Sequence, residues 1–329
     1  MDLDKIYLGD SKTVLRGWPD SCVQTVVTSP PYWGLRNYGM EGQMGLEPTL
    51  WDFIQGQVEL FREVHRVLRA DGTIWVNMGD SYNAGTGAKR PTSTSEVGRW
   101  KNPNGIHDTR NNAKGLKPKD LMGMPWRLAL ALQADGWFLR RDIIWAKKNP
   151  MPETVYDRPT TAHEYIFLLS KSRTYYYDWG AVREPASLNT HSRGHGVGPK
   201  AGLPASGWDK EPGSHGKIKR APRAKQNSDF AKNHKTVVDF RNKRSVWTVG
   251  TEAFDGAHFA TFPPALIAPC ILAGAPRGGV VLDPFMGAGT TALVAARYDR
   301  RFLGIELNPE YRDIALSRIK NEVAQGKMF

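Results

Sequence analysis

Two short stretches of this 329-residue chain bring together residue types that could do chemistry. In "VQTVVTSPPYWG" the β-branched pair Val26-Val27 has the character of a buried strand, and it stops at Pro30 and Pro31, followed by Tyr32 and Trp33. Proline fixes φ and has no N–H to donate, so Ser29-Pro30-Pro31-Tyr32 must be a stiff, extended finger whose carbonyls lack a ladder partner. With aromatic rings held beside those carbonyls, the finger suits a planar ligand that carries an amino group.

The second stretch is "GGVVLDPFMGAGTTALVAARYDRRFLGIEL". Strand Val280 to Leu282 ends at Asp283, and a turn through Gly287 and Gly289 lets a ligand approach the backbone. Thr290-Thr291 can then cap a helix running to about Tyr298. A further strand, Phe302 to Ile305, ends in Glu306, near the spacing of about 20 residues at which an acid takes ribose hydroxyls. This is a nucleoside-binding pattern, but the glycines are not spaced as Gly-x-Gly-x-x-Gly. Asp283 stands where a pyrophosphate would lie, which is electrostatically wrong for a dinucleotide and suits a ligand with a cationic amino group.

Other reactive residue types carry less. Cys22 and Cys270 sit in apolar surroundings with no Cys-x-x-Cys or Cys/His spacing, so neither zinc nor a disulfide framework is expected, and no metal site is assigned. His163-Glu164 lies at the start of an apolar strand without a third ligand, and a supporting structural role is expected. Asp80, after "VNMG", ends a strand on the ligand side, where either a base contact or helix capping would explain it.

The elements that must position these residues read as strands at "IYLG", "QTVVTS", "TIWVNMG", "RRDIIWAK", "EYIFLLSK", "GGVVLD" and "RFLGIEL", with helical patterns at Leu50–Leu68 and Pro125–Asp135. Strands alternating with helices imply an α/β fold with a doubly wound, mostly parallel sheet, in which ligands bind at the carboxyl ends of the strands. Net charge is +12 and unevenly placed. There are eight basic against three acidic residues between Ala84 and Asp120, and thirteen against four between His191 and Ser245. Both stretches are rich in Gly, Pro, Ser and Asn, so they read as basic, loop-like insertions facing a polyanion. No apolar run is long enough to span a membrane and the amino terminus lacks a signal peptide, which predicts a cytoplasmic protein.

The motifs "TSPPYW" and "DPFMGAGTT" resemble the catalytic and S-adenosylmethionine motifs of amino-group DNA methyltransferases, and their order resembles the permuted β-type arrangement of that family. "YLGDSKTVL", "TIWVNMGDSY", "RRDIIWAKKNPMP" and "HFATFPPALI" extend the resemblance over most of the chain. It implies an S-adenosylmethionine-dependent methyltransferase of Rossmann-like fold acting on double-stranded DNA. The implied cofactor contacts are Asp10 at the adenine, Glu306 at the ribose, Phe285 and Gly287 at the methionine end, and His258, Phe259 and Thr261 near the carboxylate. Residues 1–83 and 121–180 become the catalytic half and 251–329 the cofactor half. The 181–250 segment becomes the target-recognition region, with Lys217, Lys219, Arg220, Arg223 and Lys225 on DNA, and 84–120 is a basic loop insertion without a family counterpart. A cognate restriction endonuclease and a homodimer are compatible with this family.

An exocyclic base amine is a poor nucleophile because its lone pair is delocalised into the ring. The Ser29 side chain and the Pro30 carbonyl can accept its two N–H groups and favour a more tetrahedral nitrogen, with Tyr32 stacked on a base that has left the duplex and Trp33 supporting it from outside. The resemblance favours N4 of cytosine for Ser-Pro-Pro-Tyr, with N6 of adenine as the alternative. An RNA methyltransferase usually carries Asn-Pro-Pro-Tyr after the cofactor motif, and a non-catalytic DNA-binding module would not need the finger or the two acids.

Overall fold

A computed structural model describes residues 1–35, 39–83, 113, 115–186, 240–252 and 261–324. The elements in chain order are β1 (Lys5–Leu8), α1 (Ser11–Arg16), β2 (Val23–Thr28), α2 (Leu50–Val67), β3 (Leu68–Met78), α3 (Met124–Ala134), β4 (Phe138–Lys147), β5 (His163–Ser170), α4 (Trp179–Val182), β6 (Glu184–Pro185), β7 (Phe240–Arg241), β8 (Val246–Val249), α5 (Pro264–Gly274), β9 (Val280–Asp283), α6 (Thr290–Arg297), β10 (Arg301–Glu306) and α7 (Pro309–Ala324). All seven expected strands are present.

The chain divides into two compact units. The larger, Met1–Val182 with Arg244–Phe329, is built on an eight-stranded sheet in the order β1-β10-β9-β2-β3-β5-β4-β8. Its pairings are parallel except where β5 runs against both β3 and β4. The eighth strand is not among those expected from the sequence. Val246–Val249 follows the basic run "RNKRS" inside the 181–250 segment, and its short Val-Trp-Thr-Val alternation pairs in register with Ile144–Lys147 at the sheet edge. The smaller unit, Arg183–Lys243, contributes one described ladder, Glu184 with Arg241 and Pro185 with Phe240. There the Arg183 guanidinium lies 4.0 Å from the Phe240 ring centroid.

Helices cover both faces of the sheet. On one side α2 buries Phe53, Ile54, Val58, Phe61, Val64 and Val67, the 3.6-residue stripe visible in the sequence, together with Leu15 of α1 and Leu128 and Leu132 of α3. Thr49 starts α2 by accepting the Asp52 N–H at 3.1 Å. On the other side α5 and α6 pack over Val27, Trp75, Trp145, Ile166, Leu168, Val281 and Phe302. Central strand β2 is buried at every position, as expected of a parallel strand covered on both faces.

Strand periodicity places the site. Side chains two residues apart share a face, so the positions two beyond Val27, Trp75, Trp145 and Val281 bring Ser29, Asn77, Lys147 and Asp283 to one rim of the sheet. Strand β5 is antiparallel to its neighbours, so its contribution to that rim lies two residues before Ile166, at Glu164. The polypeptide leaves the same rim after Asn83 and returns at a closed neck. Tyr82 bridges Leu121, the Asn83 N–H reaches the Asp120 carbonyl at 2.8 Å, and the Lys119 N–H reaches the Asn83 carbonyl at 2.8 Å. The Asn83 side chain also accepts the Ala113 N–H at 2.9 Å and donates to the Leu116 carbonyl at 2.9 Å.

Candidate active site

A cavity of about 680 Å³ opens along this rim, and its walls are the two motifs. One wall holds Ser29, Pro30, Pro31 and Tyr32; the other holds Asp283, Phe285, Gly287, Thr290 and Glu306, with Asp10 and Thr261 beside them. The structure therefore brings together residues separated by some 250 positions of sequence.

The proline finger is braced from behind. The Gly34 N–H reaches the Gly45 carbonyl at 2.7 Å, and a Cβ on Gly45 would lie 3.2 Å from the Tyr32 carbonyl oxygen, so this glycine lets the returning chain press against the finger. Trp33 is part of that brace. Its side chain is 6% exposed in the hydrophobic core and its indole N–H donates to the Glu47 carbonyl at 2.9 Å. It is a packing residue, which corrects the expectation that it meets DNA: a ring buried this deeply cannot also support a base from outside.

Tyr32 lines the cavity and is held by Glu164 of β5, which is itself held from β3 and β4. Its phenol donates to Glu164 Oε2 at 2.8 Å, Asn77 Nδ2 donates to the same oxygen at 3.2 Å, and Lys147 Nζ donates to Glu164 Oε1 at 2.6 Å. A Cβ on Gly79 would sit 3.0 Å from the Tyr32 ring edge and 3.2 Å from the Glu164 carboxyl carbon, so Gly79 is the space in which the two meet. Burial, then the Glu164 charge and hydrogen bond, push the Tyr32 phenol well above its ordinary value, and the phenol stays protonated as a donor. Glu164 has the supporting role expected of it, and what the sequence does not show is that the group it supports is Tyr32. The signal is the alternation in "HEYIFLL", whose inward face runs Glu164, Ile166, Leu168, but its meaning depends on β5 being antiparallel. Asp80 resolves as a cap: its carboxylate accepts the Ser81 N–H at 2.9 Å and the Met124 N–H of α3 at 3.1 Å.

The opposite wall is organised by two acids. Asp283 Oδ1 accepts the Thr28 hydroxyl at 2.6 Å and the Phe285 N–H at 3.0 Å, and Oδ2 accepts the Thr291 hydroxyl at 2.7 Å. Burial nevertheless pushes its carboxyl up to about 6. What it offers the cavity is a buried charge rather than an unengaged oxygen. Glu306 accepts the Gly287 N–H at 2.7 Å and the Asn308 N–H at 2.9 Å, and burial raises its carboxyl too. Gly287 has φ +52 and a Cβ there would enter open space against the cavity, 3.9 Å from the nearest atom, the Phe285 carbonyl oxygen.

Gly289 differs from Gly287. At φ +79 its missing Cβ would lie 2.8 Å from Ala315 Cβ on α7, so it serves helix packing and not ligand approach, which corrects its expected role. The threonines do not cap α6 either. Gly289 occupies the cap position, Thr291 ties the helix to Asp283, and the Thr290 hydroxyl accepts from Arg318 at 2.9 Å. His258, Phe259 and the cluster Lys217, Lys219, Arg220, Arg223 and Lys225 lie outside the described residues.

The donor set fits a cationic nucleoside ligand. Among the described residues lining the cavity, Asp10, Glu164, Glu252, Asp283 and Glu306 face one cation, Lys147, and Lys147 is paired with Glu164. A pyrophosphate would be repelled here, whereas a sulfonium bearing an ammonium group would not. No group of three or more His, Cys, Asp or Glu that could hold a metal occurs among the described residues, and no described helix is long and apolar enough to cross a membrane.

Residues 23–317 match the family model described as DNA methylase, the N6/N4 methyltransferase family, and the chain belongs to that family. The type II methyltransferase M.Cfr9I of Citrobacter freundii is 46% identical over 318 residues, covering 96% of this chain and 88% of the relative. Among solved structures, a DNA modification methylase of Thermus thermophilus in complex with S-adenosyl-L-methionine is 25% identical, with a TM-score of 0.55 over 97% of this chain and 94% of that one. The PvuII DNA methyltransferase, cytosine-N4-specific, shares the fold at 17% identity, with a TM-score of 0.60 over 99% and 97% of the two chains. The protein is a DNA methyltransferase of the amino-methylating family and its methyl donor is S-adenosylmethionine.

Proposed function

We propose that this protein is a type II, cytosine-N4-specific methyltransferase of double-stranded DNA. The observation that carries the reading is the cavity in which Ser29 and Tyr32 face Asp283, Gly287 and Glu306. A serine, not an aspartate, heads the finger, which family resemblance associates with cytosine, and relatives such as M.Cfr9I bear the type II name.

In this reading Glu306 takes the cofactor's ribose, Asp10 its adenine side, Phe285 and Gly287 its methionine end, and the buried charge of Asp283 balances its cationic groups. His258, Phe259 and Thr261 lie near its carboxylate. S-adenosylmethionine supplies an electrophilic methyl group on a sulfonium. The chain's own work is to prepare the nucleophile. The Ser29 hydroxyl and Pro30 carbonyl accept the two N–H groups of the target amine, drawing the nitrogen toward tetrahedral geometry, and the Tyr32 ring stacks on the extruded base. Ser29 is too weak a base to remove a proton first, so the N–C bond forms as the sulfonium S–C bond breaks, and the proton then leaves the cationic nitrogen for water. The 181–250 segment is the target-recognition region, and Lys217, Lys219, Arg220, Arg223 and Lys225 hold it on the DNA phosphates. The setting is the bacterial cytoplasm, beside an endonuclease of the same specificity.

Digesting methylated plasmid DNA to nucleosides and weighing the modified one tests this. N4-methylcytosine is expected. N6-methyladenine would replace the base assignment alone, and C5-methylcytosine would remove the mechanism, because that chemistry needs a cysteine nucleophile and Cys270 is buried in the core while Cys22 does not line the cavity.

A further inference from the structure

The salt bridge beside the finger has no part in the chemistry so far. We infer that Lys147 reads the acceptor edge of the target base, its ammonium meeting ring N3 and O2 of a cytosine whose amine is held by Ser29 and Pro30. The inference rests on the cytosine reading above.

Position supports it first. Lys147 ends β4 on the same face and rim as Ser29, and it is the one cation among the described residues lining the cavity. Glu164 joins it to the finger, accepting Lys147 Nζ at 2.6 Å on one oxygen and the Tyr32 phenol at 2.8 Å on the other. The ammonium also lies 5.0 Å from the Trp145 ring centroid, so its flexible stem is fixed from two sides. The pair is partly buried, with side-chain exposures of 22% for Lys147 and 15% for Glu164.

Chemistry supports it second. The pairing edge of cytosine presents one donor, the amine, and two acceptors, N3 and O2. Toward the amine the Ser29 hydroxyl and the Pro30 carbonyl both act as acceptors, so a matching pocket needs a donor alongside for N3 and O2. Two side-chain amides on the strand ends and loops near Lys147 are committed elsewhere. Asn77 Nδ2 donates to Glu164 and to the Tyr165 carbonyl, and the Asn149 amide is turned to the backbone of Thr251, accepting its N–H at 2.9 Å and donating to its carbonyl at 3.5 Å. An ammonium has three N–H groups, and Glu164 takes one. Adenine presents its amine and N1 but only a C–H where cytosine has O2, so an ammonium set for O2 would be left unpaired. As a purely structural feature the pair is weakly motivated, because desolvating two charges offsets most of their attraction and apolar residues could join β4 to β5 as well.

The test compares wild type with Lys147→Met and Lys147→Gln, on duplexes built around a site mapped by sequencing of methylated plasmid, with cytosine or adenine at the target position. Lys147→Met should lower kcat/KM on cytosine by about 10- to 100-fold. It should change the rate on adenine by less than threefold, so that discrimination narrows, with cofactor affinity by calorimetry unchanged. Lys147→Gln, which keeps a neutral donor, should fall between. Equal loss on both bases, no loss on cytosine, or a matching fall in cofactor affinity would each overturn the inference while leaving N4-methylcytosine as the product. If Lys147→Met does not fold, Lys147→Gln decides by the same ratio. N6-methyladenine from wild type would overturn the base assignment and the inference together, an outcome visible before any variant is made.

Discussion

The two walls of the cavity are built on different principles. The proposed cofactor wall is largely local: Asp283, Phe285, Gly287 and Glu306 fall within one strand–turn–helix–strand unit, with Thr28 of β2 the distant partner of Asp283, and much of its geometry comes from backbone groups, such as the Phe285 and Gly287 N–H groups bonded to the two acids. The proposed base wall is assembled from afar. Tyr32 on the finger, Asn77 on β3, Lys147 on β4 and Glu164 on β5 meet only because the sheet brings their strand ends together, with the phenol and the carboxylate it bonds 132 positions apart in sequence. A local wall tolerates change elsewhere in the chain; an assembled wall depends on the register of every strand it uses.

The largest effect should come from the base wall. Ser29→Ala is expected to lower kcat by about 10²- to 10³-fold, the range for removing one oriented partner of a reacting group. DNA affinity measured by filter binding should change less than threefold, since the hydrogen bond matters most as the nitrogen pyramidalises. A kcat loss under threefold would mean that the finger merely holds shape.

On the cofactor wall, Asp283→Asn should weaken S-adenosylmethionine binding by about 10- to 100-fold, because it removes a buried charge of opposite sign. The carboxyl titrates at about 6 in the free protein. The ionised form balances the cofactor's positive charge, so wild-type affinity should be full above pH 7 and fall as pH drops through 6, and calorimetry from pH 5 to 8 should show that fall. Glu306 is also raised by burial, so the part of the pH dependence that vanishes in Asp283→Asn belongs to Asp283. Stability runs the other way. Because the folded carboxyl binds its proton more tightly than the unfolded one, this group's contribution is greatest in acid and is lost as pH rises through 6.

A smaller effect separates the two glycines of one turn. Gly289→Ala places a methyl group 2.8 Å from Ala315 at positive φ and should cost about 1–3 kcal/mol of stability in thermal melts, leaving cofactor affinity of the folded fraction intact. Gly287→Ala fills the cavity instead and should reduce affinity more than stability. The smallest effect is expected outside the walls. Replacing Lys217, Lys219, Arg220, Arg223 and Lys225 with neutral residues should flatten the log–log salt dependence of DNA binding by about 0.9 for each phosphate left without its cation, with cofactor binding unchanged. An unaltered slope would remove this cluster from the phosphates.

The same division explains what can be read from the sequence. Local signals are legible: strand character at Val280–Leu282, the glycine turn and Glu306 together mark a ligand wall, and the apolar stripe of α2 matches its buried face. Even there, chemistry outruns geometry. "GAG" does not say which glycine faces the cavity and which faces a helix, and that question is settled by α7 returning against Gly289. Trp33 beside the prolines looks available because sequence cannot show that Glu47 comes back to accept its indole N–H. Lys147 and Glu164 are hidden for a topological reason: only a strand reversed relative to its neighbours puts the beginning of β5 beside the end of β4.

The neck at Asn83 has a consequence for how such a protein can change over time. Its hydrogen bonds to Asp120, Lys119, Ala113 and Leu116 join the two ends of an excursion before the sheet resumes. Once the ends are joined, the entropic penalty of a longer connection grows only with the logarithm of its length, about 0.6 kcal/mol for each doubling. The closure is thereby made at the neck, by backbone and side-chain bonds that do not use Ser29 or Lys147. The position is a socket, at which the cost of lengthening or shortening the chain between the joined ends is small.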